Sequence, residues 1–113
     1  MNRTSQKNLP FRGFSHEFVG AEQGNVGVSV YFVKALPGQG PVPHRHPYDE
    51  IAYIQEGTAR WTVDDKSFEA QAGDILVVKA GEVHSFQNIG DGPLVQIDLH
   101  LSPRFIQEDM AQP

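Results

Sequence analysis

His44, His46 and Glu50 fall within one short stretch, and His84 follows far along the chain. Imidazole nitrogen and carboxylate oxygen are the usual protein ligands of divalent iron, manganese, nickel, copper and zinc. In an extended segment alternate side chains point to one face. His44 and His46 therefore project together, with Arg45 opposite. Glu50, beyond the break at Pro47, can return a carboxylate to the same face, whereas His84 must arrive from across the fold. An isolated His-x-His on a proline-rich loop reads most simply as a pair of exposed polar residues. The company of Glu50 and His84 reverses that reading and points to the chemistry of a divalent metal.

Such a site needs a scaffold that joins distant segments, and the rest of the chain reads as strands and turns. Val26, Val28, Val30 and Phe32 alternate with Gly27, Ser29, Tyr31 and Val33, a period of two in β-branched and aromatic residues. Pro37-Gly38 ends that strand. Residues 51–55 form the next, stopped at Glu56-Gly57. Ala59, Trp61 and Val63 mark the apolar parity of a third, which turns at Asp64-Asp65. Phe68 and Ala70 sit in a fourth that ends at Gly73-Asp74. Residues 75–78 read as a short buried strand. His84, Phe86 and Asn88 share one face of the strand after it, and residues 88–93 read as a hairpin turn. Residues 94–101 form the last strand, in which Val95, Ile97, Leu99 and Leu101 are the apolar set expected to face inward, so that His100 falls outside. Ser102 as N-cap with Pro103 behind it predicts a short C-terminal helix.

Many short strands with frequent turns indicate an all-β sandwich or barrel. The length, 113 residues, with no internal repeat or low-complexity tract, predicts one domain over 1–113. Residues 1–10 are polar and are expected to form a mobile arm. Phe11, Phe14 and Phe18 follow and call for burial, under the domain or in a subunit interface.

With these residues in place, the chain resembles the cupin superfamily, and within it the small stand-alone bacterial cupins. Gly38, His44, His46, Glu50 and Gly57 match the first cupin motif, G-x5-H-x-H-x3-E-x6-G. Gly73, Gly81, His84 and Asn88 match the second, G-x5-P-x-G-x2-H-x3-N, with Lys79 where the family usually has proline. The resemblance implies an antiparallel jelly-roll β-barrel with one divalent transition metal per chain (iron, manganese, nickel, copper or zinc) in its mouth or interior. It implies His44, His46, Glu50 and His84 as the ligands, the set the residues themselves suggest. Asn88 and the motif glycines are expected to shape turns.

Composition bounds the partners. The formal net charge is −5 and Lys and Arg are scattered singly, so the basic stripe of a nucleic-acid binder is missing. No apolar run approaches the length of a membrane-spanning helix. With no cysteine, there is no disulfide, thiolate ligand or cysteine nucleophile. The N-terminal residues carry no apolar h-region, and a cytoplasmic location is expected. Tyr48, Tyr53, Arg60 and Phe86 are candidate substrate contacts, Phe86 with the better claim because it shares the face of His84. His16 is expected at the surface or an interface, and Trp61 in the core. Two function classes fit. One is a metal-dependent oxidoreductase of dioxygenase type on a small organic substrate, with Glu50 as catalytic base; isomerase or decarboxylase chemistry is its variant. The other is a non-catalytic module that binds a sugar or a carboxylate. Resemblance to small cupins and the aromatic N-terminal stretch both point to a homodimer.

Overall fold

The structure, a computed structural model, describes residues 1–111. After one turn of 3-10 helix at Gln6–Asn8 come β1 (Phe11–Arg12), β2 (Ser15–Phe18), β3 (Ser29–Ala35), β4 (His44–Arg45), β5 (Glu50–Glu56), β6 (Thr58–Val63), β7 (Lys66–Gln71), β8 (Ile75–Val78), β9 (His84–Asn88), β10 (Leu94–His100) and β11 (Glu108–Asp109). They form two antiparallel sheets, ordered β1-β2-β3-β10-β5-β8 and β11-β4-β9-β6-β7. The two sheets close on each other as the antiparallel jelly-roll expected from the sequence. Among the described residues no helix is long and apolar enough to cross a membrane.

The core lies between the sheets. Trp61, Ile54 and Leu94 are fully buried, and Ala35, Ala52, Ala59 and Ala70 leave the room that Trp61 occupies. The turn from β5 to β6 depends on Gly57. Its φ is +89°, and a Cβ there would lie 2.5 Å from the Pro93 carbonyl oxygen. Both facts exclude a side chain at this position. Asn88 closes the next turn as expected: its amide nitrogen donates to the carbonyls of Ala35 (3.0 Å) and Gly92 (2.8 Å), and its oxygen accepts from Gly90 N–H (2.9 Å).

Three expectations are corrected. The first concerns β10, where the buried side chains are Leu94, Gln96, Asp98 and His100, while Val95, Ile97 and Leu99 face out and Leu101, just past the strand, is exposed. The parity is inverted because the inner face of β10 borders a polar cavity and its outer face belongs to an apolar sheet surface. The second is the short C-terminal helix. Residues 101–104 are bends, and Glu108–Asp109 pairs with β4 instead. Here Phe105 stacks on Tyr31 at 4.0 Å, and the Ile106 carbonyl serves His46 at 2.8 Å, so the backbone is committed elsewhere. The third is β8. Ile75 and Val77 are 65% and 62% exposed, because β8 is an edge strand with one open face.

That open face continues across the larger sheet. Phe11, His16, Phe32, Ile97, Tyr53 and Ile75 stand in register from strand to strand, and Phe18, Val30, Leu99, Ile51 and Val77 form a second row beside them. Phe14 points the other way and packs edge-on against Phe86 at 6.1 Å. Residues 1–8 are exposed and Leu9 is buried.

Candidate metal centre

The site is assembled from two cross-strand pairs that face each other. His44 and His84 are register partners in the five-stranded sheet. Glu50 and His100 are register partners in the six-stranded sheet. His46, just past β4, stands between the two pairs. All five side chains are buried. The loops that carry the two motifs are tied together: Gly81 N–H donates to the His46 carbonyl at 2.9 Å, and Asp49 takes Ala80 N–H and the Lys79 ammonium at 2.9 and 2.8 Å. Lys79, the departure from the family pattern, thus joins the second motif to the residue beside Glu50.

Ring orientation is fixed by backbone carbonyls. Nδ1 of His44 lies 2.7 Å from Val42 O, Nδ1 of His46 2.8 Å from Ile106 O, and Nδ1 of His84 2.9 Å from Glu82 O. A carbonyl only accepts, so each Nδ1 carries the proton and each neutral ring offers an Nε2 lone pair. Ligating nitrogens of these three rings lie within 4.8 Å of one another. Nε2 of His46 and His84 lie 3.4 and 3.1 Å from Glu50 Oε1. Lone pairs are therefore aimed at one another, and His46 Nε2 is buried with no hydrogen-bond partner. An orphaned buried acceptor is costly, and a cation at the point of convergence satisfies it. Three imidazoles and one carboxylate fit a divalent transition metal better than calcium or magnesium, which prefer all-oxygen shells.

The electrostatics say the same. Burial alone would raise the Glu50 pKa, yet the imidazoles of His46 and His84 beside it hold the carboxyl well below the usual range. His84 shifts up: burial opposes its charge, and the Glu50 carboxylate outweighs burial. His44 and His100 go the other way, lowered by burial to about 4. Asp98, buried and close to the Glu50 charge, is raised well above the ordinary carboxyl value.

A cavity of about 320 Å³ opens beside these groups. Phe14, Val33 and Phe86 form its apolar wall, and Glu50, Asp98 and His100 its polar one. At its rim Arg12 and Glu17 are paired at 2.6 Å. Of the four candidate substrate contacts, Phe86 lines this cavity. Tyr48 stands behind it, stacked on His46 at 5.1 Å. Tyr53 lies on the outer sheet face, and Arg60 is exposed and paired with Glu69 at 3.3 Å. Sequence reasoning missed His100 and Asp98. The signal was present: Gln96, Asp98 and His100 form a polar row with one parity, opposite Ile54, Ala52 and Glu50.

A family model for the cupin domain matches residues 31–100. The polyketide synthase CurC of Streptomyces cyaneus is 33% identical over 86 residues, 75% of this chain and 53% of that protein. A gentisate 1,2-dioxygenase of Streptomyces sp is 32% identical over 56 residues, 49% of this chain and 16% of that one. Among solved structures, the oxalate decarboxylase of Lactobacillus farciminis in its formate complex matches with a TM-score of 0.82 at 25% identity, covering 92% of this chain and 34% of that one. The chain thus spans about half the length of CurC and about a third of the decarboxylase.

Proposed function

The chain belongs to the cupin family, and from that premise we propose that it is a metal-dependent enzyme of dioxygenase type acting on a small organic substrate. His44, His46, Glu50 and His84 hold one divalent transition metal per chain. The observation that carries this reading is the convergence of three carbonyl-fixed imidazoles and a carboxylate on the orphaned His46 Nε2. A metal held by these residues would supply Lewis-acid or redox chemistry.

The chain's own residues do the rest. Glu50 lines the cavity, so it is placed to accept a proton from a substrate bound there. Phe14, Val33 and Phe86 take the carbon skeleton and exclude water. Of the candidate contacts we retain Phe86 as part of the substrate wall. A decarboxylase is the second reading, favoured by the match to oxalate decarboxylase. We also propose a homodimer. Tyr53, Ile75 and Val77 are exposed on the outer face of the larger sheet and form an apolar patch that a second copy can cover.

The test is elemental analysis of purified protein followed by assays with each metal in turn. Oxygen uptake with an aromatic diol or hydroxy acid supports the dioxygenase, and carbon dioxide release from a dicarboxylate without oxygen uptake supports the decarboxylase. If no compound is consumed at any metal loading, the enzyme reading fails and the non-catalytic binding module takes its place.

A further inference from the structure

We propose that His100 is a fixed hydrogen-bond donor rather than a metal ligand, its Nε2–H aimed into the cavity beside Glu50 to bind an oxygen anion of the substrate, a carboxylate, enolate or phenolate. The proposal deepens the metal reading above and rests on it for the substrate's position.

The protons around Tyr48 fix the tautomer of His100. Its hydroxyl oxygen lies 2.7 Å from His100 Nδ1, 3.3 Å from His46 Nδ1 and 3.3 Å from Ile106 N. Ile106 N–H can only donate, so the Tyr48 oxygen accepts from it. His46 Nδ1 has given its proton to the Ile106 carbonyl and has no lone pair to offer. The one neighbour able to take the phenolic proton is His100 Nδ1, which is also the closest. Tyr48 O–H therefore donates to His100 Nδ1, and the proton of the neutral His100 ring sits on Nε2.

This is the reverse of the other three rings. Carbonyls give His44, His46 and His84 inward lone pairs, while a phenol gives His100 an inward N–H. A protonated ring nitrogen cannot coordinate a metal, so His100 completes the cluster as a donor. Its Nε2 is 3.4 Å from Glu50 Oε1, a long contact that a closer substrate oxygen can replace. His100 lines the cavity, and Tyr31 and Phe105 hold its ring edge-on at 5.1 Å each. A preorganised donor in a buried site favours an anionic oxygen over a neutral one. The facing wall of Phe14 and Phe86 suits a carbon skeleton attached to that oxygen.

Two measurements test this. Nitrogen-15 NMR of zinc-loaded and metal-free protein reads which nitrogen of each ring is protonated, with His100 assigned by its loss in His100→Gln. His100 should be protonated at Nε2 in both states, and in the zinc form His44, His46 and His84 at Nδ1. A His100 ring protonated at Nδ1, or bound to zinc, overturns the proposal. In the second measurement cobalt(II)-loaded protein is titrated with benzoate, followed by its visible bands. His100→Ala should keep its metal yet bind benzoate roughly tenfold to a hundredfold more weakly. His100→Gln should recover part of that loss, and the neutral isostere benzamide should respond little. Unchanged benzoate affinity in His100→Ala, or loss of cobalt from it, also overturns the proposal. If wild-type protein takes up neither zinc nor cobalt, the metal reading fails instead, and the metal-free spectrum still decides the His100 tautomer.

Discussion

Lowering the pH of the metal-free protein from about 7 to about 5 should set two buried imidazoles against folding. His44 and His100 are 6% and 2% exposed, and burial pulls each from the ordinary 6.5 to about 4. In the unfolded chain each ring binds a proton near its ordinary value, while in the folded protein it stays neutral until much lower pH. Between those values the unfolded state holds more protons, so stability rises with pH and falls on acidification. Over this window each ring accounts for roughly 2 kcal/mol, about 4 together. His84 works in the opposite sense. Its folded value is raised, so its contribution is present at low pH and lost as pH rises; the buried Asp98 carboxyl is raised too and acts in the same sense, so both offset the loss on acidification. Glu50 is depressed, and its contribution begins to fade only below the ordinary 4.5, outside the window. Because these contributions oppose one another, the effect of one imidazole is read as a difference between variants. Urea unfolding, followed by the fluorescence of the single tryptophan, Trp61, should show His100→Gln losing roughly 2 kcal/mol less than the wild-type chain over the same window. An identical pH dependence in the two proteins would refute the reasoning.

Metal content should fall close to zero in a His46→Ala, His84→Ala double variant by elemental analysis, and an unchanged content would show the ligand set to be wrong. Glu50→Gln should retain more metal than His84→Ala, because its amide oxygen still coordinates weakly, yet lose turnover if the carboxylate is the base. Asn88→Ala strands the carbonyls of Ala35 and Gly92 and the N–H of Gly90. It should cost about 2–4 kcal/mol, seen in calorimetry as a Tm lower by about 10 °C or more, and a drop of a degree or two would contradict that cost. Ile75→Lys with Val77→Lys should convert a dimer to a monomer in light scattering, and wild-type protein already monomeric at tens of micromolar, on the order expected for such interfaces, would sink the dimer.

The buried His/Glu cluster was legible because its residues are rare in combination and their spacing is set by strand geometry. His44, His46, Glu50 and His84 could be read without knowing the partner strands. The turns were legible through glycine: Gly57 and Gly81 have φ of +89° and +85°. His100 was misread for a physical reason, although the polar row of Gln96, Asp98 and His100 carried a signal. Apolar alternation marks the buried face only when no polar site lies inside and no apolar surface lies outside. In β10 the outer row is Val95, Ile97 and Leu99 on an apolar sheet surface, and the inner row borders a cavity that needs polar groups. The two-residue strands β1, β4 and β11 are too short for any periodicity to show. The C-terminal helix signal at Ser102-Pro103 was locally sound, but tertiary contacts of Phe105 and Ile106 overrode it.

The Ile106 carbonyl holds His46 across 60 positions of sequence, on a segment secured by the Glu108 and Asp109 pairing with β4 and by the Arg45–Glu108 ion pair at 3.0 Å. That segment tethers one ring of the candidate metal centre. Cutting the chain after the exposed Arg104 removes none of the four candidate ligands, yet it takes away the carbonyl that His46 Nδ1–H meets at 2.8 Å and leaves it the Tyr48 oxygen at 3.3 Å. Retention of a bound metal would then report on whether the tail is intact, and a limited protease could weaken the centre from outside the barrel.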